Sequence, residues 1–360
     1  MVNPLTRCVE DYSLPPFAQM READIVPALR TAMAELALDL NAIEDDLSDP
    51  DADLTWESVM DRLEIIDDPL NRLWRIVIHL SYVANSPELR AAQVEVQAEV
   101  VTIQSRRAQS VEVFQAMNKL RASPQYDTYT VEQQRILERA ILAATLSGVA
   151  LNECDRRRCN QISIRLKELA NTFSDNILDG TKAFSHMAYK RSDVEGLPDS
   201  ILALLAQNAV KAGHPGATAA NGPWRLSLEL SAYSPVIECC SNRRTRQLMF
   251  DAHTHKAAVP PHDNTPIMEE MLRLRHELAQ LLGYNSYAEV SLLDKTAPSV
   301  SAVEALIFDL RDKCLAISKV EMAEVADFAL KHGQEEPLEA FDIAYWSVDT
   351  LFFKDGLLTT

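Results

Sequence analysis

The segment His276-Glu277-Leu278-Ala279-Gln280 has the outline of a zinc-peptidase helix. In HExxH, two histidines four residues apart share one helix face and reach one metal, and the intervening glutamate polarises the metal-bound water. Here the second ligand position holds Gln280, a neutral carboxamide, and one imidazole cannot hold zinc. The spacing predicts instead a core stripe of Leu274, Leu278, Leu281 and Leu282 with His276 and Glu277 at its polar edge. His253, His255 and His262 gather around Pro260-Pro261, supported only by Asp263, and read as surface-loop histidines. Cys154 and Cys159 flank three arginines, which lower a thiol pKa, but no partnering base accompanies them. The acidic run Asp45, Asp46, Asp49, Asp51 and Asp53 lacks the central glycine and terminal glutamate of a calcium loop. No GxSxG, P-loop or GxGxxG occurs. The residues therefore predict no catalytic, cofactor-binding or metal-ligating position in this chain.

The elements that would position such residues are helices. The 360 residues are 47% hydrophobic and 24% charged, with only nine glycines, a mixture that favours helix over glycine-turned sandwiches. A net charge of −18 repels phosphate and argues against a nucleic-acid partner. The longest largely apolar stretch, Ala140–Leu151, is too short to span a bilayer, so no membrane partner is expected. The first 20 residues carry no apolar signal run, and the six cysteines form no CxxC pair. Reduced thiols in a cytoplasmic protein are expected, or in an organelle if the N-terminus is incomplete.

Residues 1–20 are expected to be extended, followed by a helix over Glu22–Glu44. Thr55 is expected to cap a helix whose stripe runs from Val59 to Leu80, with a kink at Asp67-Asp68-Pro69. Ser86-Pro87-Glu88 opens a helix to about Leu120, and Thr130 with Gln133 forms a capping box. Ile162, Leu166, Leu169, Phe173 and Ile177 mark another helix, so the first 180 residues read as an antiparallel helical array. The chain then turns irregular, and Trp224–Leu230 alternates with period two, the strand signal. Helices resume over Val236–Thr254, Thr265–Leu282, Val300–Gly333 and Leu338–Trp346.

Six segments, in order, carry a family resemblance. They are Leu14-Pro15-Pro16-Phe17 leading to Val26-Pro27-Ala28; Asn85-Ser86-Pro87-Glu88-Leu89-Arg90; Gly196-Leu197-Pro198-Asp199-Ser200; and Tyr233-Ser234-Pro235-Val236. The fifth joins Met268-Glu269-Glu270 to Leu274-Arg275-His276-Glu277-Leu278-Ala279-Gln280-Leu281-Leu282-Gly283-Tyr284 and Tyr287-Ala288, and the sixth is Phe341-Asp342-Ile343-Ala344-Tyr345-Trp346-Ser347. Colinear over residues 14–347, they resemble the thimet oligopeptidase and oligopeptidase A family of zinc metallopeptidases, closest to oligopeptidase A. Phe341 stands where the family usually has tryptophan, and the similarity fades after Ser347.

The resemblance implies a mainly α, multi-helical, neurolysin-like fold with a small β element. It implies a metalloendopeptidase family acting on short peptides, with zinc bound by an HExxH in a later part of the chain. The sequence as given ends at Thr360, before that motif, so the chain by itself is expected to be inactive. Expected regions are an N-terminal helical domain over 1–180, an irregular segment with the β element over 181–235, the start of the catalytic region over 236–347, and a divergent apolar tail over 348–360. Core-facing surface left uncovered would favour self-association. The alternative is a non-catalytic helical peptide- or protein-binding protein derived from the same fold.

Overall fold

The structure, a computed structural model, describes residues 3–10 and 13–355. The expected fold class is the observed one: fourteen α-helices and one two-stranded sheet are found among these residues. They are α1 (Pro4–Glu10), α2 (Glu22–Ser48), α3 (Arg62–Val83), α4 (Pro87–Ala108), α5 (Val111–Ala122), α6 (Val131–Leu146) and α7 (Glu153–Ala183). The second series is α8 (Asp199–Lys211), α9 (Leu230–Cys239), α10 (Arg243–Thr254), α11 (Thr265–Leu281), α12 (Tyr287–Leu292), α13 (Val300–Lys331) and α14 (Ala340–Asp355). Strands β1 (His186–Ala188) and β2 (Trp224–Leu226) pair antiparallel. No helix among the described residues is long and apolar enough to cross a membrane. The chain divides into two compact units: residues up to Glu168 with Leu272–Pro298, and Leu169–Met271 with the residues from Ser299 onward.

The first unit is built on helix stripes. Leu29, Met33, Leu36, Leu40 and Ile43 of α2 recur every three or four residues and are all buried, as are Leu63, Ile66, Leu70, Leu73 and Val77 of α3. Val96 and Val100 of α4, Val113 and Leu120 of α5 and Leu137 of α6 complete one apolar cluster. Fully burying each of these aliphatic side chains stabilises by about 1.5–3 kcal/mol. The helix starts follow local chemistry. Thr55 and Ser58 exchange hydrogen bonds, each backbone N–H donating to the other's hydroxyl (2.9 and 3.1 Å), before a π-helical turn leads into α3. The Ser86 hydroxyl accepts from the Leu89 N–H at the start of α4. Thr130 and Gln133 form the expected capping box. Pro69 lies inside α3, which continues unbroken through it.

Two expectations for this unit are corrected. Residues 4–10 are helical rather than extended: Pro4 sits at the first position, where a missing N–H is harmless, and the Asn3 side chain accepts from the Leu5 N–H at 2.9 Å. Leu5 is buried, which anchors the segment. Met1, Val2, Asp11 and Tyr12 lie outside the described residues. The helix opened by Ser86 stops at Ala108 and a new one starts at Val111, because the Ser110 hydroxyl caps α5 through the Val113 N–H. The Gln109 carboxamide holds the break by donating to the Ser147 carbonyl (2.6 Å) and to Asn160 (2.7 Å).

In the second unit, a smaller core of Ala188, Leu202, Leu205, Trp224, Leu226, Val236 and Met249 joins the sheet to α8, α9 and α10. The strand is shorter than its alternation suggests. Only Trp224–Leu226 pairs with β1; Leu228 is still buried, but Leu230 opens α9 and is 74% exposed. The helical stretch expected over Val236–Thr254 begins earlier, at Leu230, and consists of α9 and α10, parted at residues 240–242, where the Asn242 side chain caps α10 through the Thr245 N–H. The last helix runs from Ala340 through Ser347 to Asp355, and Leu357-Leu358 of the expected tail lie outside the described residues. Gly196 has φ +87°, and a Cβ placed there would lie 2.4 Å from the Cys239 carbonyl oxygen. Left-handed backbone alone costs an L-residue about 1–2 kcal/mol. Gly196→Ala is therefore expected to destabilise by more than about 2 kcal/mol in denaturant titration, because strain and clash combine.

Candidate functional site

The metallopeptidase-like segment lies on α11, with its side chains engaged by neighbouring groups. The Arg158 guanidinium of α7 donates to both Glu277 carboxylate oxygens, at 2.5 and 2.8 Å. Those hydrogen bonds hold the Glu277 carboxyl below the usual range, so it serves as a paired anion rather than a base. Gln280 donates through its carboxamide to the Tyr284 and Asn285 carbonyls, both at 3.1 Å, and so satisfies groups just beyond the end of α11. His276 is exposed, while Leu274 and Ala279 face the core.

Several of the remaining sequence candidates are occupied as well. His253 stacks on Tyr233 with ring centroids 4.2 Å apart, and burial, assisted by Lys256, pushes its imidazole pKa down. The His255 ring nitrogen Nδ1 bonds the Asp251 carbonyl at 2.8 Å, and His262 sits in the turn before α11. Cys154 is exposed, whereas burial pushes the Cys159 thiol up, away from thiolate. Arg157 pairs with Glu153 and Arg158 with Glu277, so two of the three arginines between these cysteines are engaged elsewhere. The acidic run is partly helical up to Ser48, and Asp46 pairs with Arg62 at 2.8 Å. Among the described residues no three histidine, cysteine, aspartate or glutamate side chains gather where a metal ion could sit. The donors present do not fit zinc.

A cleft of about 530 Å³ opens within the first unit beside Leu36, Trp56, Met60 and Met117. Its polar lining comprises Glu64, Asn71, Gln104 and the Asp67–Arg107 pair, the last joined by two hydrogen bonds of 3.1 and 3.0 Å. Burial pushes the Asp67 carboxyl up in spite of Arg107. The Ser110 hydroxyl in the same wall is committed as a helix cap. This is an interhelical groove with a structural ion pair, and it has no nucleophile–base couple.

The densest polar constellation is one that local spacing could not reveal. Asp342 of α14 is fully buried and accepts from Arg243 Nη2 (2.8 Å), Arg246 Nη2 (2.8 Å), Gln334 Nε2 (3.3 Å) and the Glu339 N–H (3.1 Å). Burial alone would raise its pKa, but the hydrogen bonds from Arg243 and Arg246 outweigh it and hold the carboxyl below the usual range. Arg246, itself buried, also donates to the Cys240 carbonyl at 2.8 Å and lies 4.1 Å over the Tyr345 ring. Arg243 lies 4.9 Å from the Phe341 ring centroid and pairs with Glu336 as well. The Trp346 indole donates to Gln334 at 2.5 Å. A carboxylate saturated in this way is neither base nor nucleophile; it clasps α14 to the start of α10. The signal in sequence was the pair Arg243 and Arg246, one turn apart, whose partner lies about a hundred residues away. Asp342→Asn leaves a buried guanidinium without its counter-charge and is expected to cost about 3–5 kcal/mol in denaturant unfolding. With a depressed carboxyl pKa, this contribution is complete above the ordinary value of 3.8 and is lost as pH falls below it, so the wild-type advantage over the variant should shrink in acid.

Residues 29–156 match the family model of the neurolysin/thimet oligopeptidase N-terminal domain, and residues 236–351 match peptidase family M3. The chain is 36% identical to organellar oligopeptidase A of Arabidopsis thaliana over 347 residues, covering 96% of this chain and 43% of that protein. It is equally similar to the probable cytosolic oligopeptidase A of the same plant, at 36% over 96% of this chain and 48% of the relative. Oligopeptidase A of Escherichia coli is 31% identical over 352 residues, 96% of this chain and 50% of that protein. The chain thus spans about half the length of the curated relatives it matches. The first of the two matches falls on the helical core built by α2–α6, and the second carries both the arginines and the aspartate of the buried clasp. On these grounds the chain belongs to the M3 peptidase family, that of the thimet oligopeptidases and oligopeptidase A.

Proposed function

We propose that this chain supplies the N-terminal helical half and the opening helices of the peptidase domain of a zinc-dependent oligopeptidase acting on short peptides. Its own 360 residues neither hold zinc nor cleave peptides. The observation that carries the first statement is the colinear similarity to oligopeptidase A over 96% of the chain. The second is supported by the residues themselves. The sequence as given contains no HExxH, and its nearest approximation has Glu277 bound by Arg158 and Gln280 bonded to backbone carbonyls.

On this reading the domains are an N-terminal helical domain over 1–180, a connecting segment with the β element over 181–235, the beginning of the peptidase domain over 236–347, and a distinct ending over 348–360. The curated relatives include proteins named organellar and cytosolic, and we place this one in the cytoplasm. Apolar surface on the second unit makes non-specific self-association the expected behaviour of the chain when it is alone and concentrated, rather than a discrete dimer.

The purified chain, incubated with zinc and dialysed, should retain far less than one equivalent by elemental analysis. It should also leave quenched fluorescent peptides intact. Stoichiometric zinc accompanied by chelator-sensitive hydrolysis would overturn the inactivity of these residues and point to a site of another kind. A monodisperse, inactive chain that binds short peptides would favour the non-catalytic binding protein instead.

A further inference from the structure

Helix α13 is buried at only one end. Its last turns pack Val325 and Ala329 against Trp346 of α14, and Phe328 stacks on His332 with centroids 3.9 Å apart. From residue 304 to residue 321, every position is exposed. These are not the residues of a solvated helix. Ile307, Phe308, Leu310, Leu315, Ile317 and Val320 are each about half exposed or more, between 49% and 61%. At about 100° per residue, these six side chains cover about 240° of the helix circumference, whereas a helix lying on the surface of a domain presents an apolar stripe little wider than about 100°. Apolar side chains spread this widely, with Arg311 and Lys313 between them, are more than the single stripe of a surface helix accounts for. The charges among them largely satisfy one another: Lys313 with Asp309 at 2.7 Å, and Arg311 with Asp312 at 2.7 Å. Apart from Lys319, that leaves the apolar side chains as what a partner would meet.

The breadth of this surface selects its occupant. A two-fold contact with a second copy buries one self-complementary patch, which suits a single stripe. Covering about two-thirds of a helix circumference needs a partner that wraps it from several directions, as the rest of a domain does. The helix lies inside the region that matches peptidase family M3, and the relatives that match the chain from end to end are about twice its length. We propose that the middle of α13, from Ile307 to Val320, is the docking surface for the polypeptide that continues the M3 peptidase domain in those relatives. This segment packs around α13 and converts it into a core helix. The proposal rests on reading the chain as half of an oligopeptidase, and it adds where the other half is held and by which side chains.

Cys314 lies in the middle of this stretch and is exposed, while Cys159 and Cys240 are buried. A thiol-reactive probe followed by peptide mapping therefore reports on the surface directly. In the dilute chain alone, Cys314 should label rapidly while Cys159 and Cys240 stay unlabelled, which also establishes that the chain is folded. The partner supplied is the portion of the Arabidopsis cytosolic relative that follows its matched residues, co-expressed with this chain. The expected result is a 1:1 complex by light scattering in which Cys314 labelling is lost. Ile317→Glu and Phe308→Glu should each abolish that complex while leaving Cys159 and Cys240 protected. Should the partner portion not be recovered on its own, it is joined in one polypeptide after residue 351, and Cys314 should be protected in the resulting monomer. A complex or fused monomer that leaves Cys314 reactive, an insoluble fusion, or a discrete homodimer in which Cys314 is already protected would each overturn the proposal. Zinc content and peptide cleavage by the chain alone bear on the earlier reading and are unaffected by these outcomes.

Discussion

A single buried carboxylate organises the second unit. Asp342 is removed from water, and an isolated ionised carboxylate there would be far too costly to keep. Two guanidiniums, a carboxamide and a backbone amide restore what water would have supplied. Each of these donors comes with its own packing. Arg246 brings Tyr345 and the Cys240 carbonyl, Arg243 brings Phe341 and Glu336, and Gln334 brings Trp346, which in turn packs the last turns of α13. The direction in which α14 leaves the turn after α13, and the seat of α10 beneath it, follow from satisfying one charge. Such a buried ionic group is weak evidence of net stabilisation, since well-packed apolar substitutes are often as stable.

The first unit depends on a different constraint, the closure of helix ends. Its apolar stripes would bury themselves in several registers. Hydroxyl caps at Thr55, Ser86, Ser110 and Thr130 fix where each helix begins, and so which residues the stripe contains. Three of these caps were legible because serine or threonine precedes a proline, an acid or a clear apolar period. Ser110 was not, since the apolar period runs on through it; its role is decided by Gln109, whose partners Ser147 and Asn160 are tens of residues distant. Helix α1 was missed for the opposite reason. Neighbouring prolines argue for extended chain, and only the burial of Leu5 shows that Asn3-Pro4 starts a helix.

The same division runs through the site residues. Dismissing His276–Gln280 needed only ligand chemistry, because a carboxamide four residues from an imidazole cannot complete a zinc shell. Knowing what those side chains do instead needed Arg158 of α7 and the carbonyls of Tyr284 and Asn285. The alternation at Trp224–Leu230 correctly marked the β element, but not its length, which is set by a three-residue partner strand nearly forty residues earlier. Phe341–Ser347 was recognisable as a family segment without any physical reason attached; the reason is the carboxylate, the cation–π contacts and the indole hydrogen bond gathered there.

The hydrogen bonds of Gln280 have a consequence for pattern searching. Exchanging this one residue for histidine would complete the letters HExxH on a genuine helix of a genuine peptidase-family protein. Any search by text would then report an active site. The fold would disagree: the new imidazole would lose both carbonyl contacts beyond α11, and Glu277, still clasped by Arg158, would have no freedom to polarise a water. The difference between a metal centre and its anagram lies in what the neighbouring side chains are already holding.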